Sequence, residues 1–189
     1  SEIGSGATYT TSVKFNSAGN IAFATTNDFV EGEAAYISLI YTELTGNNKE
    51  IRENYSFTLF NNISGVNDAK LDFNPINGKP SIVYYNKNNI LNYLSLTGDN
   101  INDISNWSSI NLNVTASYCS LDFQPENSFY PGSPVITYLD NNNFSNIIQL
   151  TGSDYFAITG SDLWGNFILG QLDLSENTLT RGYNTLVNV

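Results

Sequence analysis

Apolar and polar residues alternate along this chain in short runs, and the runs stop at clusters of Asn, Asp and Gly. Alternation with period two marks a strand with one buried face, because successive side chains leave a strand on opposite sides. The runs SIVYY (81–85) and VITYL (135–139) are rich in β-branched and aromatic residues and predict strands. They end at Asn86-Lys87-Asn88-Asn89 and Asp140-Asn141-Asn142-Asn143, whose side chains favour turns and tolerate a left-handed backbone. A further strand follows each turn, with Ile90, Leu94 and Leu96 in one copy matching Phe144, Ile148 and Leu150 in the other. The stretch WSSINLNV (107–114) predicts a fourth strand. No segment carries the apolar stripe and caps of a helix.

The same pattern is written more than once. KLDFNPINGKPSIVYY (70–85) and SLDFQPENSFYPGSPVITY (120–138) stay in step at both ends, although the second has extra residues in its middle. The opening mark recurs as Val13-Lys14-Phe15, Leu71-Asp72-Phe73, Leu121-Asp122-Phe123 and Leu172-Asp173-Leu174. A second mark, Leu-Thr-Gly, recurs in phase at Leu44, Leu96 and Leu150. Two marks in register predict one domain over 1–189 with units of roughly fifty residues at 12–69, 70–119, 120–170 and a partial 171–189. Leu71, Phe73, Leu121, Phe123, Ile82 and Ile136 are expected at equivalent buried positions.

The wording S-L-x-F-x-P-x-x-G-x-P-x-I-x-Y, followed by a polar turn and another strand, resembles blade repeats of bacterial and giant-virus β-propeller proteins. Residues 70–98 match best, 120–152 next and 12–46 weakly, so the resemblance covers about half the chain. It implies an all-β, propeller-like array of four-stranded repeats, a scaffold widely used for binding. A β-sandwich is the alternative fold. The strand count leaves an incomplete last unit, so either the chain termini meet or the sheet edges are covered by another polypeptide. The second option predicts a homo-oligomer or a part of a larger assembly.

Composition narrows the functions. The net charge is −11, and seven Lys and Arg cannot form the basic stripe that a nucleic-acid ligand needs. No apolar run approaches a membrane span, and no signal-peptide pattern opens the chain at Ser1, which suits a mature or excised product. Charged residues are only 13%, and solubility rests on 29 Asn with 36 Ser and Thr. That surface suits an extracellular or virion-surface protein, and an AT-rich coding sequence would enrich Asn equally.

Candidate chemistry is sparse. The absence of His removes Ser-His-Asp and Cys-His catalysis and nearly all zinc sites. Cys119 is the one cysteine, in a strand-like setting that suits a small core residue. Only Arg52 and Arg181 are available, too few for the three-arginine carboxylate clamp of a sialidase. Its Asp-box is merely echoed around Asp103–Trp107 and Ser161–Gly165. The recurrent acids Asp72, Asp122 and Asp173 suit backbone bonding between units, with a cation site or a glycosidase carboxylate pair as other uses. No metal and no cofactor are expected.

Aromatic rings beside Asn and Asp suit sugars, since flat rings stack on sugar faces and the polar groups bond hydroxyls. The candidate ligand-binding residues are therefore Tyr84, Tyr85, Asn86, Trp107, Tyr138, Asp140 and Trp164, against the alternative that Tyr84 and Tyr138 are core. The expected function is a non-enzymatic binding or structural protein for carbohydrate or a protein surface. A glycan-active enzyme, or the propeller portion of one, is the alternative.

Overall fold

The computed structural model describes residues 8–31, 34–48, 50–128, 130–151, 154–161, 167–173 and 178–180. The described residues are all-β, in three antiparallel sheets that follow one another along the chain. Sheet 1 holds β1 (Thr8–Phe15), β2 (Ile21–Glu31), β3 (Ala34–Leu44) and β4 (Tyr55–Ser64). Sheet 2 holds β5 (Val66–Phe73), β6 (Pro80–Asn86), β7 (Ile90–Leu96) and β8 (Trp107–Thr115). Sheet 3 holds β9 (Tyr118–Phe123), β10 (Pro134–Leu139), β11 (Ser145–Thr151), β12 (Asp154–Ser161), β13 (Phe167–Asp173) and β14 (Thr178–Thr180). Each sheet is a meander in which every strand pairs with its sequence neighbour, and none closes on itself.

The sheets pack through their faces, with sheet 2 in the middle. One face of sheet 2 presents Ala69, Leu71, Ile82, Tyr84, Leu94, Leu96 and Trp107 to a core shared with Ala24, Leu39, Tyr41 and Phe60 of sheet 1. Its other face presents Val83, Leu91, Tyr93 and Leu112 to Cys119, Leu121, Phe123, Ile136, Tyr138, Ile148 and Leu150 of sheet 3. A strand covered on both sides has no polar face to keep, which is why β6 is buried from Pro80 to Tyr84 without a break. Face-to-face packing of this kind fits the β-sandwich alternative, and stacked propeller blades share it.

The repeat is carried by identical registers. Leu71 lies opposite Ile82 as Leu121 lies opposite Ile136, and Ala69 lies opposite Tyr84 as Cys119 lies opposite Tyr138. Leu71, Leu121, Ile82, Ile136 and Phe123 are buried as expected, whereas Phe73 is half-buried against its core. Asn92 and Asn146 occupy equivalent buried positions, and each donates its side-chain amide to the carbonyl two residues earlier, Ile90 and Phe144, at 2.8 Å. Neither amide is left unsatisfied, so the same polar residue is tolerated twice in a core.

The hairpins explain the written repeat. Asn74 N donates to Lys79 O and Gly78 N to Asn74 O; Gln124 N donates to Ser133 O and Gly132 N to Gln124 O. Both loops therefore close in the same way, and the four extra residues lie inside the second. Gly78 and Gly132 take φ of 69° and 70°, a region that only glycine enters freely. Pro80 and Pro134 then begin strands, where the missing N–H costs little.

The Leu-Thr-Gly mark also has a structural reason. In sheets 1 and 2 it opens a long loop that returns through a short 3-10 turn, Arg52–Asn54 or Ile104–Asn106. Thr45 N and Gly46 N both donate to Asn54 O, and Thr97 N and Gly98 N both donate to Asn106 O. The third copy differs, because β11 ends at Thr151 and β12 begins at Asp154, leaving no room for that loop. The fourth opening mark differs as well. Leu172 and Asp173 lie on β13, which pairs with β12 and widens sheet 3 to six strands instead of opening another sheet.

Candidate functional site

The opening strands of the three sheets run together: β5 packs against both β1 and β9. Their polar side chains form a seam. Ser12 Oγ donates to Leu71 O at 3.5 Å, and Lys14 Nζ lies 3.2 Å from an Asp72 carboxylate oxygen, so both contacts join sheet 1 to sheet 2. On the sheet 3 side, Lys70 Nζ lies 2.9 Å from Asp68 and 5.7 Å from the centre of the Tyr118 ring. Asp68 stands across from Tyr85 on β6, after a register shift that follows Val66.

The local sequence builds this seam simply. Asp68, Lys70 and Asp72 alternate with Ala69, Leu71 and Phe73, so one side of β5 enters the core and the other carries charge. Lys70 and Asp68 are largely enclosed, at 24% and 18% side-chain exposure, whereas the Tyr118 residue is 54% exposed. An exposed ring beside an ammonium and a carboxylate can stack on an apolar surface while the charged groups bond hydroxyls. Burial pushes the Tyr85 phenol up, and Asp68 and Tyr118 add to the effect, so it stays a neutral donor and acceptor at neutral pH.

Asp68 has the Lys70 ammonium beside it and Asp72 that of Lys14. No three Cys, Asp or Glu side chains gather as a metal site among the described residues. The thiol of Cys119 is buried and pushed up to about 12 by that burial, with Asp68 raising it further and Lys70 lowering it. A thiol so placed is a core residue, as its setting in the sequence predicts.

The residues proposed from sequence fall in different places. Tyr84 and Tyr138 are buried at equivalent positions of the two cores. Trp107 is buried too; its ring packs edge-on to Phe60 at 5.1 Å and tilted to Tyr41 at 5.3 Å, and its Nε1 donates to Ile101 O. These rings meet protein on both sides, which leaves no face for a ligand to stack on. Asn86 and Asp140 are the turn-formers of equivalent hairpins. Asn86 Oδ1 accepts from Asn88 N and Ile90 N, and Asp140 Oδ1 accepts from Asn142 N and Phe144 N. Trp164 lies outside the described residues.

Tyr85 is the sequence candidate that the seam takes in, with Asn86 at its border, where Asn67 donates to the Asn86 carbonyl. Sequence reasoning missed Asp68, Lys70 and Tyr118. The signal was the polar side of VNDAKLDF (66–73), which places Asp, Lys and Asp two residues apart on one strand face.

No family model matches the chain, and neither does any curated protein. Among solved structures it is similar to a fucose lectin from Kordia zhangzhouensis in complex with methyl-fucoside. The TM-score is 0.45 and the identity 10%, over 80% of this chain and 99% of that one. A likeness this slight assigns no ligand.

Proposed function

We propose that the chain is a non-enzymatic binding protein of propeller type that takes carbohydrate at the seam of its opening strands. The observation that carries this reading is the Asp68–Lys70–Tyr118–Tyr85 cluster, where an exposed ring stands beside enclosed hydrogen-bonding groups. The propeller reading is supported by sequential meander sheets and by two sheet–sheet interfaces built from equivalent residues. An amide-rich surface of net negative charge fits work outside a cell or on a virion.

A glycan array probed with the full chain, beside Tyr118→Ala and Asp68→Asn, tests the reading. Selective binding that falls at least about fivefold in Tyr118→Ala is the expected result, taking the ~1–3 kcal/mol of base stacking on one aromatic ring as the scale. Binding that Tyr118→Ala leaves intact, or no binding to any glycan, overturns it. Assays for sugar release on the bound glycans should give no product.

A further inference from the structure

Both sheet–sheet interfaces are head to tail. The opening face of sheet 2 covers sheet 1, and the equivalent face of sheet 3 covers the opposite face of sheet 2. Registers show the match: Val13 lies opposite Phe23 in sheet 1, as Leu71 lies opposite Ile82 and Leu121 opposite Ile136. Sheet 1 therefore owns the same docking face, and among the described residues no other sheet is seated on it. Val13 is 46% exposed and Phe15 69%, although their counterparts Leu71, Phe73, Leu121 and Phe123 lie in or against a core, and Phe57 on the same side of β4 is 60% exposed. Three large apolar residues on one open sheet face are an uncovered interface, not scattered surface.

We infer that this face docks the third sheet of a second copy of the chain, repeating the internal interface in trans. The complementary surface of sheet 3 is the side of β10 and β11 that carries Val135, Thr137 and Ile147. Its register matches the sides of sheets 1 and 2 already covered: Val135 lies opposite Asp122 as Ser81 lies opposite Asp72 and Ala22 opposite Lys14. Thr137 is exposed, Val135 and Ile147 are half-buried, and Gln149 opposite Val135 keeps its Nε2 buried, so the open part of this side is at Thr137. A surface that binds a different surface of its like propagates until it closes or is capped. The face of sheet 3 lies on the same side of β9 as Tyr118 and Asp122 of the proposed seam, but the docking is read by sedimentation without any glycan and stands without the carbohydrate reading.

Two surface variants separate the alternatives. Phe15→Lys spoils the face of sheet 1 and Thr137→Lys the face of sheet 3, and both positions are exposed, so each variant should fold, as circular dichroism will verify. Wild type should sediment at multiples of the protomer mass in a concentration-dependent manner, and each variant alone as a protomer. Mixed in equal amounts, they should form a dimer, because the sound third sheet of Phe15→Lys meets the sound first sheet of Thr137→Lys. A wild type that stays monomeric at every concentration overturns the inference, as does an assembly that Thr137→Lys leaves intact, which would mean face-to-face pairing of first sheets. Failure of the mixture to associate overturns it too.

Discussion

Replacing Gly98 by Ala would place a methyl carbon 1.5 Å from Oδ1, 2.3 Å from Cγ and 2.7 Å from Cβ of Asn106. Rotating the amide relieves the first two contacts but not the third, since Cβ moves only with the backbone. The backbone of Asn106 is what closes the loop: its carbonyl accepts from Thr97 N at 2.7 Å, Gly98 N at 3.1 Å and Thr97 Oγ1 at 2.9 Å. Overpacking of this kind costs about 1–3 kcal/mol. Weakening one or two of those bonds adds about 1 kcal/mol each. The sum, about 2–5 kcal/mol, should lower the urea midpoint clearly. Gly46→Ala should do the same, because its methyl would lie 2.5 Å from Asn54 Cβ. Gly19→Ala is the control: nothing lies within 4 Å of its added carbon, and only the backbone cost of φ +80° remains, about 1–2 kcal/mol. If Gly98→Ala unfolds within about 0.5 kcal/mol of wild type, below the usual cost of such a clash, the packing account of the Leu-Thr-Gly mark is wrong.

Lys79 Nζ donates to Thr97 O and Gly98 O at 2.8 Å and reaches Asp99 at 3.2 Å, but Asp99 is fully exposed. The carbonyl bonds should dominate, so Lys79→Met should lower stability by about 1–2 kcal/mol in urea titrations while Asp99→Asn changes it little. Burial, with Asp140 adding, pushes Tyr138 up to about 12, and Tyr84 is raised by burial as well. The unfolded chain ionises these phenols first, so their stability is complete below pH 10 and is lost as pH rises toward 12; Tyr138→Phe should flatten that alkaline loss in unfolding followed against pH. Cys119 should resist a thiol reagent in the native protein at pH 8 and react at once in denaturant; rapid native labelling would contradict its burial.

How much of this was legible depended on whether a feature is local. The strands, both kinds of hairpin and the matched registers follow from period-two alternation with Gly, Pro and Asn at fixed offsets, and each of those residues acts within its own loop. What covers a strand is not local. SIVYY (81–85) reads the same whether one or both of its faces are buried, so Tyr84 and Tyr138 could be placed on strands but not on a side. The same blindness put Trp107 among ligand-binding candidates, although its ring fills the gap between sheets 1 and 2. Asn86 and Asp140 looked available because their partners are backbone N–H groups, which a sequence does not display. Tyr118 and Lys70 meet only because β9 lies beside β5, a contact between residues almost fifty positions apart.

The recurrent acid shows where the repeat stops describing the seam. Position for position, Lys14 on β1, Asp72 on β5 and Asp122 on β9 are equivalent, since each sits between the two apolar residues of the opening mark. Three aspartates there would repel one another, and only a bound cation would reconcile them. The chain instead writes Lys in the first copy, and Lys14 reaches across to Asp72 at 3.2 Å. With Lys14 43% exposed, this pair adds at most about 1 kcal/mol, so its main effect is to neutralise and not to hold the sheets together. The cation reading of the recurrent acids fails at this junction for that reason. Sheet packing is conserved between copies because each core solves the same geometric problem, whereas the seam residues differ from copy to copy: Ser12, Lys70 and Ser120 are equivalent, and so are Lys14, Asp72 and Asp122. Seam residues that differ between copies are what selective contact with an asymmetric ligand would require, since identical copies would offer it three identical surfaces.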